Sequence, residues 1–395
     1  RLRCWRRHRR QSANSADIPR RSTCRTHRIR RTSGHQLRVA QVILVLNAGS
    51  SSLKIEVFDE ELGSVISGRV TNLGTTGELK LGTAKTKVDT RDHAHALELM
   101  LAALKEAGYP LTDFAAAAHR IVHGGAVMTA PARLRPPVIA TIESVIPLAP
   151  LHNPNNLAGV YALQKMAPDL PQYCSFGTAF HATNPEVATR YAIPQTHHDA
   201  GIRRYGFHGL SYANMVADFG DGLPEHLLAF HLGNGASLCA IHNGKSIATS
   251  MGYSPLSGLT MGTRSGDIDG AAVLRMSKAL GEDETDRMLN KNSGLQALAG
   301  DNNMKTLLER KDDDAEFAVE HFCYWAARHA GSAVVAMGGL DAIAFTGGIG
   351  ENAAPIRNRI MELLSCFGNV PVHVVVADEE KQIARDALAL IAEGR

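Results

Sequence analysis

Three short segments rich in small residues each follow directly on an apolar run in this 395-residue chain. They are Asn47-Ala-Gly-Ser-Ser-Ser52, Gly233-Asn-Gly-Ala-Ser237 and Gly347-Gly-Ile-Gly350. Small residues let the backbone approach a ligand closely, and consecutive N–H groups in such turns form concavities that bind anions. One such turn alone is typical of an ordinary hairpin or helix end. Three of them in one chain indicate phosphate binding.

Three basic residues stand beside other glycines. Arg120 lies in HRIVHGG (119–125), His208 in YGFHG (205–209) and Arg264 in MGTRSG (261–266). Arginine binds a carboxylate or phosphate through two parallel hydrogen bonds, and histidine can donate to a phosphoryl group as its charge develops. Each residue alone is more often structural. Together with the turns they predict phosphoryl transfer to an anionic substrate.

Two other phosphate-binding patterns fit less well. Gly244-Lys245-Ser246 resembles the end of a P-loop, but Cys239 occupies the position of its first glycine. Gly348-x-Gly350-x-x-Ala353 matches the dinucleotide fingerprint, but no βαβ unit with an acidic residue about 20 positions on follows it. A nucleotide held between two halves of the chain is therefore favoured over a dehydrogenase site.

The elements that carry these turns indicate a duplicated fold. The run 42–46 is continuously apolar, as in a strand buried on both faces, and 53–57 alternates as in a second strand. The same strand–turn–strand unit recurs about 185 residues later, with strands predicted at 227–232 and 238–241. The pattern predicts an α/β protein with two similar domains and a cleft between them.

Further elements follow from turn and cap signals. Asn243-Gly244 predicts a hairpin into a strand at 245–249. A strand at 342–346 precedes the third glycine turn, after which Asn352 is predicted to cap a helix. Near the C-terminus, the spacing predicts a strand over 372–376 and then a helix capped by Asp378.

The composition excludes several classes of protein. The chain is 44% hydrophobic and 21% charged, with a formal net charge of only +3, which argues against disorder. No apolar run approaches the ~18 residues of a membrane helix, and the length predicts two or three domains. The six cysteines form no C-x-x-C pair, which argues against a zinc site and a disulfide framework and predicts a cytoplasmic location.

The charge is unevenly distributed. Residues 1–40 contain 13 Arg, no Lys and one acidic residue, so this arm carries +12 and the remainder of the chain carries −9. Such composition is typical of a transit peptide or a nucleic-acid-binding tail. Because residue 1 is Arg rather than Met, a translated upstream stretch is the favoured interpretation, and nucleic acid is not expected as a partner.

The motifs together resemble the acetate kinase family, the short-chain carboxylate kinases of the actin, hexokinase and Hsp70 superfamily. The resemblance runs from Val42 to the C-terminus and is carried by LNAGSSSLK (46–54), HRIVHGG, PLHNP (150–154), TAFH (178–181), YGFHG, HLGNGAS (231–237), MGTRSG and FTGGIGEN (345–352). It implies two actin-like (ribonuclease H-like) domains, at 41–185 and 186–379, with the helix at 380–395 joining the first. It also implies a homodimer with no membrane contact.

The resemblance implies reversible transfer of the ATP γ-phosphoryl group to acetate, giving acetyl phosphate and ADP, with Mg²⁺ or Mn²⁺. His208 and Arg264 would stabilise the transferring group, and Arg120 would bind the acetate carboxylate. The residues implied to line the acyl pocket are Val122, Leu151, Phe207 and Pro255, and those implied to hold the metal are Asn47 and Glu379. The residues implied to bind ATP are Ser50, Ser52, Lys54, His231, Leu232, Gly233, Asn234, Gly235, Asn303, Met304, Lys305, Gly348, Ile349, Gly350, Glu351 and Asn352.

The chain departs from the family pattern at three places. Gly177 replaces an aspartate before T-A-F-H, Asn303-Met304-Lys305 replaces D-F-R, and the sequence around Glu379 and Glu380 is altered. Acetate is already ionised at pH 7, so loss of that aspartate is expected to slow the enzyme without abolishing activity, and Gly177→Asp is expected to match or raise it. The alternatives are a propionate or butyrate kinase, or an impaired homologue that binds nucleotide or acyl phosphate.

Overall fold

The apolar run at Val42 becomes a central strand because every one of its side chains finds a buried neighbour. The computed structural model describes residues 42–395, so the arm predicted at 1–40 lies outside the described residues. Within them the strands are β1 (Val42–Ala48), β2 (Ser52–Phe58), β3 (Ser64–Thr71), β4 (Thr76–Leu81), β5 (Ala84–Asp89), β6 (Phe114–Ile121), β7 (Ala132–Arg133), β8 (Gln172–Phe176), β9 (His226–Leu232), β10 (Ala236–His242), β11 (Lys245–Thr249), β12 (Ala342–Thr346) and β13 (Val372–Val374).

Helices connect and cover these strands. They are α1 (His93–Glu106), α2 (Pro136–Ser144), α3 (Asn153–Met166), α4 (Glu186–Thr189), α5 (Gln195–Asp199), α6 (Gly209–Phe219), α7 (Gly270–Leu280), α8 (Glu282–Lys291), α9 (Gly294–Ala299), α10 (Met304–Glu309), α11 (Asp313–Met337), α12 (Gly347–Asn352), α13 (Ala354–Leu363) and α14 (Glu379–Ala392). Short 3₁₀ helices occur at Leu111–Asp113, Ile146–Leu148, Ala179–Thr183, Gly220–Gly222 and Ser365–Phe367.

The two sheets repeat one topology. In the first, β3, β2 and β1 form an antiparallel meander, β6 lies parallel to β1, and β8 lies parallel to β6. In the second, β11, β10 and β9 form the meander, β12 lies parallel to β9, and β13 lies parallel to β12. The first sheet is extended by β4, β5 and β7. The predicted duplication of an α/β fold is thereby confirmed.

Most predicted elements are confirmed, and three details are corrected. The predicted turn at 347–350 begins the short helix α12, and the last predicted strand ends at Val374. Asn352 does not cap a helix, since its side chain donates to the Gly348 carbonyl at 2.9 Å. Pro355 explains the break between α12 and α13, because proline lacks an N–H and restricts the residue before it. Asp378 does cap α14, accepting the Lys381 N–H at 2.8 Å.

The C-terminal helix α14 packs on the first sheet, against β1, β6 and β8. Its apolar face joins a buried cluster with two side chains of β1; the members from these two elements are Ile383, Ala384, Ala387, Leu390, Ile43 and Val45. This packing places Glu379 and Glu380, the first residues of α14, beside the ends of β1 and β6. The domain boundaries at 185 and 379 stay a prediction.

Buried histidines connect the elements around this edge. His119 on β6 lies 2.7 Å from the Gln172 side chain on β8, and His181 contacts Ser246 Oγ and the Phe207 carbonyl, each at 2.8 Å. Burial lowers the pKa of His119 and of His181 to about 4. Both imidazoles are therefore neutral at pH 7, and each connects different segments of the fold through hydrogen bonds.

These histidines make the stability of the fold depend on pH. An unfolded histidine takes up a proton near pH 6.5 and these two do so only near pH 4, so the free energy of unfolding falls as the pH drops from about 6.5 to about 4. Each group contributes on the order of 3 kcal/mol over that window. We expect His119→Gln to flatten the pH dependence of urea unfolding. The exposed His197→Gln should leave the wild-type slope unchanged, and equal slopes in both variants would contradict this account.

Candidate active site

The hairpin between β9 and β10 forms one wall of the site. Gly233 N–H donates to the Gly235 carbonyl at 2.9 Å, and the Asn234 carbonyl accepts the Gly262 N–H at 3.0 Å, which ties this turn to the loop that carries Arg264. A Cβ at Gly235 would lie 3.3 Å from both Arg264 Nη2 and His208 Nε2. Glycine at this position therefore lets an arginine and a histidine from two other segments meet over the hairpin.

His208 begins α6 in the left-handed region, with φ +58°, which is uncommon for a residue with a side chain. Its Nδ1 lies 2.8 Å from Ser237 Oγ, and its ring stacks on His231 at 4.1 Å between centroids. Burial, and then the neighbouring His231 and Arg264, lower the pKa of His208 well below its usual value. A neutral ring held at Nδ1 offers Nε2 toward Gly235.

Arg264 is largely but not fully buried, and it has few hydrogen-bond partners. Its Nη1 donates to the Pro255 carbonyl at 2.7 Å and contacts Met261 Sδ at 3.5 Å. Within residues 42–395 it forms no ion pair with a carboxylate, and burial lowers the pKa of its guanidinium. The guanidinium keeps donors for an anion that enters the site.

Arg120 and Glu379 form an ion pair on the opposite wall. Arg120 Nε lies 2.7 Å from Glu379 Oε2, and both side chains are mostly buried. His152 lies near Arg120 and Arg264. Burial and, to a smaller extent, these two positive charges lower its pKa. Arg120, which is predicted to bind the acetate carboxylate, is thus paired here with a carboxylate of the protein itself.

The structure brings Asn47 to Glu380 rather than to the predicted Glu379. Asn47 Nδ2 donates to Glu380 Oε1 at 2.9 Å, and Lys54 Nζ lies 2.6 Å from Glu380 Oε2. Burial acts to raise the pKa of Glu380, but Lys54 and Asn47 outweigh it and hold that pKa below its usual value. Oxygens of Glu56, Asp378 and Glu380 lie within 4.8 Å of one another. Amide and carboxylate oxygens are the ligands that Mg²⁺ and Mn²⁺ favour, so this donor set fits such an ion.

A cavity of about 840 Å³ opens beside the hairpin. It joins parts of three of the four segments predicted to bind ATP, with lining residues Gly233, Asn234, Asn303, Met304, Lys305, Gly348, Ile349 and Asn352. The lining residues that the sequence analysis missed are Asn302, Leu308, Glu309, Ala353 and Pro355. They lie in α10, in α13 and in the adjoining loops. Apart from Ala353, which belongs to the glycine pattern 348–353, none of them lies in a motif that predicts nucleotide binding.

Other predicted nucleotide-binding residues lie beside the cavity. Glu351 is engaged with the backbone, accepting the N–H groups of Gly347 at 3.1 Å and Ala377 at 2.9 Å. His231 contacts Ser211 Oγ at 2.9 Å. Leu232 ends β9, Gly235 lies in the β9–β10 turn and Gly350 lies in α12, whereas Ser50 lies in the β1–β2 turn and Ser52 begins β2.

The predicted acyl-pocket residues differ in burial. Val122 and Phe207 are buried in one cluster, whereas Leu151 is 59% exposed and Pro255 contributes its carbonyl to Arg264. Asn156 was missed by the sequence analysis: its side chain accepts the Val122 N–H at 2.9 Å and donates to the Ala48 carbonyl at 2.7 Å. It thereby fixes Val122 relative to the first turn.

Gly177 lies where three segments meet. Its N–H donates to the Ile121 carbonyl at 2.9 Å, and its carbonyl accepts the Gly209 N–H at 2.8 Å. A Cβ at this position would lie 2.9 Å from the Val122 carbonyl oxygen, closer than real Cβ atoms come. Any side chain here must therefore displace the Val122 backbone.

Comparisons with known proteins agree with this geometry. Acetate kinase from Streptomyces coelicolor is 39% identical over 395 aligned residues, which cover 89% of this chain and 97% of that protein. Acetate kinase from Stutzerimonas stutzeri is 41% identical over 393 residues, which cover 89% and 99%.

Two crystal structures have the same fold. A propionate kinase from Francisella tularensis superposes with a TM-score of 0.83 at 35% identity, covering 88% of this chain and 98% of that one. Acetate kinase from Porphyromonas gingivalis superposes with a TM-score of 0.81 at 35% identity, and the match covers 89% of this chain and 100% of that one. The profile of the acetokinase family matches residues 42–387, so the chain belongs to the acetokinase family.

Proposed function

We propose that this protein is an acetate kinase, transferring the γ-phosphoryl group of ATP reversibly to acetate by direct in-line displacement. The observation that carries the proposal is the meeting of His208 and Arg264 over Gly235, beside a cavity of about 840 Å³. That volume is typical of a site for a nucleotide-sized ligand. The relatives named acetate kinase support the choice of acid.

His208 and Arg264 act on the transferring group. The transition state of phosphoryl transfer is loose and spreads charge over three equatorial oxygens, so fixed donors supply most of the catalysis. Arg264 brings a mostly buried positive charge. Neutral His208 brings an N–H at Nε2 in the tautomer whose Nδ1 accepts the Ser237 hydroxyl hydrogen across their 2.8 Å contact. Neither residue needs to transfer a proton.

Arg120 binds the carboxylate of the acid substrate, and Val122 with Phe207 encloses the methyl group. The acid is ionised at neutral pH and attacks through its own oxygen, so no general base is required. Asn156 holds the Val122 backbone in place, so a longer acid could not easily gain room by shifting this wall. Propionate is the alternative acid, since a structural neighbour is named a propionate kinase.

Asn47, Glu379 and Glu380 would hold the divalent cation. Bound there, Mg²⁺ would neutralise charge on the β- and γ-phosphates. Glu379 has a second role, because it also pairs with Arg120 at 2.7 Å. If Glu379 served as a ligand of the cation, its ion pair with Arg120 would be lost and Arg120 would be left for the substrate carboxylate, so occupation of the two subsites would be coupled.

We also propose a cytoplasmic homodimer. Helix α7 has no buried residue: its own Leu274 and Leu280 are 65% and 50% exposed, and Ile268, just before the helix, is 41% exposed. A second copy of the chain would cover such a face.

The described cysteines are unpaired, which suits a reducing compartment. In residues 42–395 no helix combines the length and apolar character that crossing a bilayer demands.

The activity is tested by ADP formation from Mg-ATP with acetate, propionate, butyrate or no acid. We expect acetate-dependent turnover, and Arg264→Ala should lower kcat by about 10³- to 10⁵-fold, the range for an arginine in phosphoryl transfer. The exposed Arg69→Ala should behave as wild type. Nucleotide binding without acid-dependent turnover would instead favour an impaired binding protein.

The coupling between Arg120 and the cation subsite is tested with Glu379→Gln. In the wild type, Mg²⁺ with a non-hydrolysable ATP analogue should tighten acetate binding about five- to a hundredfold, as measured by calorimetry. In Glu379→Gln the acetate affinity should no longer depend on Mg²⁺, because the amide cannot form the ion pair, and turnover should fall. Glu393→Gln, at the exposed end of α14, is the control. Equal acetate affinity with and without Mg²⁺ in the wild type would refute the coupling.

Gly177 is tested with two substitutions. Since a Cβ there meets the Val122 carbonyl, we expect Gly177→Ala to raise the KM for acetate several-fold by displacing the acyl pocket. Gly177→Asp carries the same steric cost, so the sequence-based expectation of equal or higher activity is replaced by a lower kcat/KM than wild type. The ratio of kcat/KM in Gly177→Asp to kcat/KM in Gly177→Ala isolates the effect of the carboxylate, because both variants carry the Cβ. If Gly177→Ala kept the wild-type KM for acetate, the Val122 backbone would accommodate the Cβ without disturbing the acyl pocket, and this prediction would be wrong.

A further inference from the structure

A cluster of two histidines and two carboxylates lies at the opposite end of β9 from the phosphate-binding hairpin. His226 and His242 are direct cross-strand partners on β9 and β10, so their side chains leave the same face of the sheet. Their rings stack at 4.6 Å between centroids with 12° between planes, so one ring must turn about its Cβ–Cγ bond before the in-plane lone pairs of both can meet at one ion. Glu225 precedes His226, and Asp341 directly precedes β12.

The distances suit a transition metal. His242 Nε2 lies 3.3 Å from Glu225 Oε1, and one ligand atom from each of Glu225, His226 and His242 lies within 4.8 Å of the others. Two ligands of a tetrahedral zinc ion, each ~2.1 Å from the metal, are separated by about 3.4 Å. The observed 3.3 Å matches that separation.

Asp341 orients His226 as an outer partner of a metal ligand would. Its Oδ2 accepts the His226 backbone N–H at 2.9 Å and lies 3.0 Å from His226 Nδ1. A carboxylate that accepts a hydrogen bond from Nδ1–H keeps the proton of the neutral ring on Nδ1 and leaves the Nε2 lone pair for a metal. Gly339 packs against the other side of the ring, since a Cβ there would lie 3.2 Å from His226 Nδ1.

We propose that Glu225, His226 and His242 bind one divalent transition-metal ion, with Zn²⁺ the best match, and that Asp341 orients His226 for it. Imidazole and carboxylate ligands suit zinc, and the exposed rim leaves a fourth position for water. The ion would join the ends of β9 and β10 directly and the start of β12 through Asp341. The absence of cysteine pairs, which argued against a zinc site, does not bear on a site of this composition.

The test measures Zn²⁺ itself on the chelator-treated full chain, by equilibrium dialysis with saturating Mg²⁺ to occupy the oxygen-rich subsite. The double variant His226→Asn/His242→Asn should bind one Zn²⁺ fewer per chain than wild type. The exposed His197→Asn should bind as wild type. Other zinc ligands in the chain contribute equally to all three proteins, so the difference reports this cluster alone.

Two further variants separate binding from folding. Glu225→Gln keeps both imidazoles and should weaken Zn²⁺ binding at this site, and Asp341→Asn should weaken it about 10- to 100-fold, the usual effect of an outer partner. Zinc should raise the Tm of wild type and not of the double variant, because it binds only the folded cluster. Equal stoichiometry and affinity in wild type, Glu225→Gln and the double variant would overturn the proposal.

Discussion

The burial of Arg264 without a carboxylate partner is the constraint on which the site depends. Taking a guanidinium out of water is costly unless an opposite charge meets it, and within the described chain only a carbonyl and a thioether contact this one. The fold tolerates the cost because His152 and His208, whose pKa values are lowered, add no further positive charge. In the proposed reaction a phosphoryl group would supply the missing anion, so the uncompensated charge of Arg264 would become stabilisation of the transferring group.

The duplicated topology explains how residues distant in sequence reach Arg264. Asn47, Arg120 and Gly177 stand at or just beyond the carboxyl ends of β1, β6 and β8, which run parallel and therefore end at one edge of the first sheet. The β9–β10 hairpin and the start of α12 occupy the equivalent edge of the second sheet. Helix α14 then returns to the first sheet and delivers Glu379 and Glu380 to the same place. Each sheet thus contributes one half of the proposed phosphate-binding surface.

The strands and glycine turns were predictable because their signals are local: an apolar run, a period of two, or Asn-Gly at a hairpin. The partners of charged residues were not, since they depend on tertiary packing. The sequence could not distinguish Glu379 from Glu380, adjacent in one helical turn, but the rotation of α14 sends one to Arg120 and the other to Asn47. Asn156 was missed for the same reason, as its two backbone contacts join segments that are distant in sequence.

Gly177 shows why a family pattern cannot be restored by one substitution. The resemblance implies an aspartate at this position, whereas in this chain the Val122 carbonyl oxygen lies only 2.9 Å from where a Cβ would stand. A carboxylate introduced here would therefore displace the backbone of Val122, a residue proposed to line the acyl pocket. One substitution cannot restore the charge without also disturbing the wall of that pocket.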